Sequence, residues 1–161
     1  MILFLITVCS IILQLTVFSY YPIYGVKPDL FLILVINIAL LSGPKKGLGM
    51  GFCLGMLQDL FLGGMFGVYT IIKSVLGGLI GFSEGHFYKK SILISPLTIF
   101  VFTLLHEFLI VLLSEELIFT VDYLKMFKSI ILPTAIYNSI LGLILYFIIY
   151  IIFINRGKIY E

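Results

Sequence analysis

The chain has 161 residues, 61% of them hydrophobic and 11% charged, with a formal net charge of +2. A soluble domain carries about 25% charged residues to hydrate its surface, so composition excludes an ordinary water-soluble fold and predicts a surface that mostly faces lipid. The ten basic residues sit in short clusters at the ends of apolar runs, which argues against a nucleic-acid partner.

Polar and Gly/Pro breaks divide the chain into apolar segments 1–21, 28–42, 46–62, 67–84, 91–114 and 129–154. The expected architecture is all-α: one integral membrane domain over 1–161, a polytopic bundle of six transmembrane helices. Met1 to Val8 carries no Lys or Arg, and no small-x-small cleavage site follows, so the first segment is expected to be a retained helix rather than a secretory signal. Cys9 and Cys53 lie inside apolar runs without Cys-x-x-Cys spacing. They are expected to be buried small hydrophobes, with neither a disulfide nor a metal site.

In the second segment Pro28 and Asp29 make a good helix start. Its apolar core, 30–41, covers only about 18 Å at 1.5 Å per residue, against a hydrocarbon core of ~30 Å. Whether it crosses fully, and so on which side the N-terminus lies, stays open. The third and fourth segments carry Gly47, Gly51 and Gly55, then Gly77, Gly81 and Gly85, the four-residue spacing of small residues that lets membrane helices approach closely. Positions 47, 51, 55 and 59 mirror 85, 81, 77 and 73. This predicts an antiparallel hairpin turning at Phe66, with Asp59 opposite Lys73. The alternative is that each stripe packs on a different helix and Asp59 caps a helix or faces water.

The fifth segment contains His106 and Glu107, ionisable groups that are expensive at membrane depth and usually face a bundle interior. The long connection 115–128 places Leu117, Val121 and Leu124 at helical spacing among charged residues. It is expected either to be a short interfacial helix offered to a partner, or an ordinary loop anchored at the interface. The sixth segment contains Asn138. With six crossings, Lys45, Lys46, Lys89, Lys90, Arg156 and Lys158 share one side against Lys27, Lys125 and Lys128 on the other, which predicts a cytoplasmic C-terminus.

Motifs of catalysis fail on inspection. Gly81-Phe82-Ser83-Glu84-Gly85 has the string of a nucleophile elbow, but that motif needs a strand-to-helix turn and a histidine base. An intramembrane hydrolase would require Ser83 near a histidine such as His106. His106-Glu107 begins a zinc-protease string, yet Ile110 occupies the position of the second ligand. Gly47-Leu48-Gly49-Met50-Gly51 lacks both the preceding strand and the third glycine of a phosphate loop. No catalytic, cofactor or metal residue is assigned.

Pro28-Asp29-Leu30, Ser42-Gly43-Pro44-Lys45-Lys46-Gly47, the run from Gly51 through Asp59-Leu60, and Gly67 together resemble the rod shape-determining protein MreD family. The close match spans about a third of the chain, and the helix layout elsewhere agrees. Lys73 departs from the pattern, whose fourth helix is usually uncharged. The resemblance implies a bacterial inner-membrane subunit of the cell-elongation machinery that binds MreC. It also implies support for a peptidoglycan synthase pair, a SEDS glycosyltransferase with a class B penicillin-binding protein, and a fold similar to the S subunits of vitamin transporters. The expected function is a non-enzymatic scaffold among membrane lipid and these partners. The competing expectation is a small-molecule-binding membrane subunit of a transporter, with Asn37, Asp59, Lys73, His106, Glu107 and Asn138 lining a cavity. A ligand-sized polar cavity would favour the second, a filled core the first.

Overall fold

The structure, a computed structural model, describes residues 2–18, 20, 25–62, 66–82, 94–113 and 123–154. Every secondary-structure element among these residues is a helix. Helix α1 (Ile2–Leu13) continues into a π-helical turn (Gln14–Phe18), followed by α2 (Leu30–Ser42), α3 (Pro44–Leu62), α4 (Val68–Gly81) and α5 (Ile94–Leu113). A short α6 (Tyr123–Met126) joins α7 (Leu132–Ile154) through a second π-helical turn (Phe127–Ile131). Of the six expected spans, α5 and the run Leu124–Ile151 meet the length and hydropathy of a membrane crossing, with mean hydropathy 2.2 and 1.9. The apolar helices at Leu5–Phe18, Leu30–Ser42 and Val68–Gly81 are shorter.

Helix α2 is the centre of the molecule. Every residue from Leu30 to Leu40 is buried, and α1, α3, α4, α5 and α7 all pack against it. A helix apolar on all sides needs such a sheath, and this one is thirteen residues, about 20 Å, long. Its start meets protein polar groups instead of lipid. At its far end Gly43 takes φ +85°, a left-handed conformation that glycine adopts without strain, and its N–H returns to the Ala39 carbonyl. Pro44 then opens α3 at the one helical position where a missing N–H costs nothing.

Helices α3 and α4 form the expected antiparallel hairpin, the most extensive helix contact in the structure. The register differs from the mirror arithmetic. Gly47 faces the Gly77 backbone, eight positions short of Gly85; a methyl group on Gly51 would strike the Lys73 carbonyl, and one on Gly55 the backbone of Tyr69 and Thr70. Gly81 sits against Pro44, and Gly85 lies outside the described residues. Two helical turns of displacement keep the glycine stripe on the same face and change only what it meets.

The exterior is apolar at helical spacing. Phe52, Met56 and Leu60 on α3, Ile71, Val75 and Leu79 on α4, and Leu97, Val101 and Leu105 on α5 are all exposed. Polar residues are instead inside, including Gln14, Asp29, Lys73, His106 and Asn138. Helical hydroxyls such as Thr16, Ser74, Thr98 and Ser139 are satisfied by the carbonyl one turn back. Cys9 and Cys53 are exposed on this apolar exterior, which corrects the expectation that they are buried: an apolar run in a lipid-facing bundle points outward as readily as inward.

Candidate functional site

The start of α2 is where the helices meet chemically. Asp29 caps α2 in the ordinary way, its Oδ1 accepting the Leu32 N–H at 2.9 Å. Gln14, from the π-helical turn after α1, brackets the same entry: its Oε1 accepts the Leu30 N–H at 2.8 Å and its Nε2 donates to the Pro28 carbonyl at 3.2 Å. Asn138 on α7 accepts the Asp29 N–H at 2.9 Å and donates to Thr103 Oγ1 on α5 at 3.3 Å. Donors that helix geometry leaves unpaired in a first turn are thus held by side chains from the two ends of the chain.

Lys73 on α4 completes the cluster. Its ammonium donates to both carboxylate oxygens of Asp29, at 2.8 and 2.7 Å, and to Gln58 Oε1 on α3, which uses all three of its protons. The amide of Gln58 also approaches Asp29 Oδ2 at 3.5 Å, long for a hydrogen bond. The ammonium stands 5.5 Å from the centre of the Phe31 ring. Lys73 is wholly buried, and the Asp29 side chain keeps only 9% of its surface exposed.

This corrects the expected pairing of Asp59 with Lys73. Helix α4 begins after Gly67, which has no side chain to cap it. Asp59, on the part of α3 that overshoots α4, supplies the cap instead: its carboxylate accepts the N–H of Tyr69 and Thr70 at 3.1 and 3.0 Å, and the Thr70 hydroxyl. Negative charge at a helix N-terminus is favourable, so Asp59 needs no cation, and Lys73 is left for the other carboxylate in the interior.

A cavity of about 410 Å³ opens beside this cluster, lined among others by Gln14, Lys27, Asp29, Tyr69, His106 and Glu107. Gln58, Ile110 and Thr134 also border it. The start of α2, the end of α3, the start of α4, the end of α5 and the start of α7 therefore share one end of the bundle, and neighbouring helices alternate in direction. His106 is 1% exposed; its Nδ1 lies 3.2 Å from Glu107 Oε1, while its Nε2 is buried without a hydrogen-bond partner. The rings of Tyr69 and His106 are 6.2 Å apart. No group of three metal-ligating side chains occurs among the described residues.

Of the residues singled out from sequence, Lys73 and Asn138 belong to the Asp29 cluster, and His106 and Glu107 line the cavity beside it. Asn37 is elsewhere, accepting from Ser95 Oγ at 2.9 Å and donating to the Gly142 carbonyl at 3.4 Å. Leu124 is exposed on α6, whereas Leu117, Val121 and Ser83 lie outside the described residues. Gln14, Gln58 and Thr103 were not anticipated. The signal for the two glutamines is that each is an amide inside an apolar segment, where no water can satisfy it and a protein partner must.

An all-helical bundle with an apolar exterior, polar residues turned inward and two helices able to cross a bilayer defines an integral membrane protein. The family model described as rod shape-determining protein MreD matches residues 1–155. The chain belongs to the MreD family, and with it to the proteins of rod shape determination. No curated protein and no solved structure matches it.

Proposed function

We propose that this chain is a non-enzymatic scaffold of the bacterial cell-elongation machinery, crossing the inner membrane six times with its C-terminus in the cytoplasm. It binds MreC and supports the SEDS glycosyltransferase and class B penicillin-binding protein that build lateral peptidoglycan. The observation that carries this reading is the family match over nearly the whole chain. The alternating helix directions fit six crossings, and a polar cluster that neutralises its own charges suits a rigid platform better than a reaction centre. Likeness to the S subunits of vitamin transporters belongs to the same proposal.

The test is purification from membranes with an affinity tag on the C-terminus. Recovery of MreC and the synthase pair is expected. Recovery of a vitamin-transporter energising module would overturn the scaffold in favour of a transporter subunit, the second reading, which the cavity beside Asp29 favours. Within the scaffold reading, Leu117, Val121 and Leu124 contribute to the partner contact. Changing all three to serine is expected to weaken co-purification of MreC while the protein still inserts; unchanged recovery would remove this segment from the interface.

A further inference from the structure

Positive charge at the start of α3 is left unanswered by the described residues. Lys45 and Lys46 are both exposed there, and neither has an ion-pair partner among those residues. Lys45, Leu48 and Phe52 follow at i, i+3 and i+7, and on α4 Val75, Gly78 and Phe82 repeat that spacing, so each set shares one helix face. Contact joins the two faces: a Cβ on Gly78 would meet Leu48 alone, with its Cδ1 at 3.7 Å. The register that seats Gly81 on Pro44, and Gly51 on Lys73 and Ser74, brings Phe82 level with Lys45 and Val75 level with Phe52. Leu48, Phe52, Val75 and Phe82 are exposed, whereas Gly78 is recessed between the last two. The result is an apolar notch, about 10 Å long at 1.5 Å per residue, with the lysines at its head.

We propose that this notch binds an anionic phospholipid of the cytoplasmic leaflet, its phosphate on Lys45 and Lys46 and one acyl chain against Leu48 and the open floor at Gly78. The placement rests on the proposed orientation, which puts the start of α3 among the cytoplasmic headgroups, and not on which proteins the scaffold recruits. Basic pockets between helices on the cytoplasmic side of a membrane select anionic headgroups, because each lysine adds an attraction that the ammonium of a zwitterionic lipid opposes. A soluble acidic peptide would match the lysines and leave the notch empty, since the notch runs inward from the headgroups toward hydrocarbon. A molecule with an anion at one end and a hydrocarbon chain at the other meets both.

Native mass spectrometry of the full-length protein, released from non-ionic detergent, tests it with equimolar palmitoyl-oleoyl phosphatidylglycerol and phosphatidylethanolamine. Phosphatidylglycerol is expected to be retained in preference by about fivefold or more, the worth of one lysine near an anionic surface. Lys45→Gln with Lys46→Gln is expected to abolish that preference. Lys125→Gln with Lys128→Gln removes the same charge from the other end of the bundle and is expected to leave it unchanged. Gly78→Leu fills the notch and is expected to lower retention of phosphatidylglycerol with both lysines in place. The bare headgroup, sn-glycero-3-phosphoglycerol, is expected not to be retained. Equal retention of the two lipids, a preference that survives loss of Lys45 and Lys46, or retention of the bare headgroup would overturn the proposal. So would a dimer that Gly78→Leu dissociates, which gives the face to a second copy, or a protein adduct lost with the lysines, which gives it to an acidic partner. Lys46→Cys, with Cys9 and Cys53 changed to alanine, is expected to react with an impermeant maleimide from the cytoplasmic side. Reaction from the opposite side alone would overturn the orientation and with it the cytoplasmic site. Reaction from the cytoplasmic side without any lipid preference would overturn the site and leave the orientation standing.

Discussion

The ion pair between Lys73 and Asp29 is buried, and its members fall into different helices 44 positions apart. Removing one partner of such a pair leaves an uncompensated interior charge, at a cost of about 3–5 kcal/mol, whereas removing both often costs little. Lys73→Met alone is therefore expected to lower the apparent melting temperature in detergent sharply, and Asp29→Asn with Lys73→Met to lower it less, because asparagine still caps α2. Exchanging Asp59 and Lys73 for one another should give no rescue. Asp59 acts instead on the first turn of α4, so Asp59→Leu is expected to cost about 1–2 kcal/mol, the usual worth of a good cap. Its signature is faster hydrogen exchange at Tyr69 and Thr70, with the Asp29 cluster unaffected.

At the scale of elements, the hairpin of α3 and α4 was legible and its register was not. Glycines every fourth residue specify which face of each helix packs, because four residues nearly close a turn. A stripe repeating every four residues looks the same after a slide of eight, so the pattern is blind to the displacement observed. What selects the register is aperiodic: Asp59 over the uncapped start of α4, and Pro44 against Gly81. The central place of α2 was equally hidden. Its uniform apolarity reads as a lipid-facing span until five neighbours are known to surround it, and its shortness was the one hint. In the observed register a Cβ on Gly78 lies 3.9 Å from that of Leu48, within the ~3.5–4.5 Å of a disulfide. Cysteines at Leu48 and Gly78, with Cys9 and Cys53 changed to alanine, are expected to crosslink under mild oxidation. A Gly55 and Gly77 pair, which the mirror register would join, should not.

For the whole molecule, the shared end of the bundle has a consequence for topology. Lys27 borders the same cavity as Thr134, near the start of α7, while Lys45 and Lys46 begin α3 at the opposite end. These three lysines thus lie at opposite ends of the bundle, the separation that the proposed orientation needs. Changing Lys45, Lys46, Lys89 and Lys90 together to glutamine is expected to produce mixed orientation, read by labelling single cysteines from each side of the membrane. A uniformly oriented protein that no longer recovers MreC would assign those loops a binding role.

The buried ion pair also dictates an order of construction. A ribosome adds roughly 5–20 residues per second, so Lys73 follows Asp29 by some 2–9 s. Asn138, which satisfies the Asp29 amide from 109 positions away, follows by roughly 5–22 s. Throughout that interval the entrance of α2 has Gln14 in place but carries an Asp29 carboxylate without its lysine. The cluster is complete only once α4 has delivered the countercharge and α7 has supplied Asn138. The innermost helix is among the first to be made and the last to be finished.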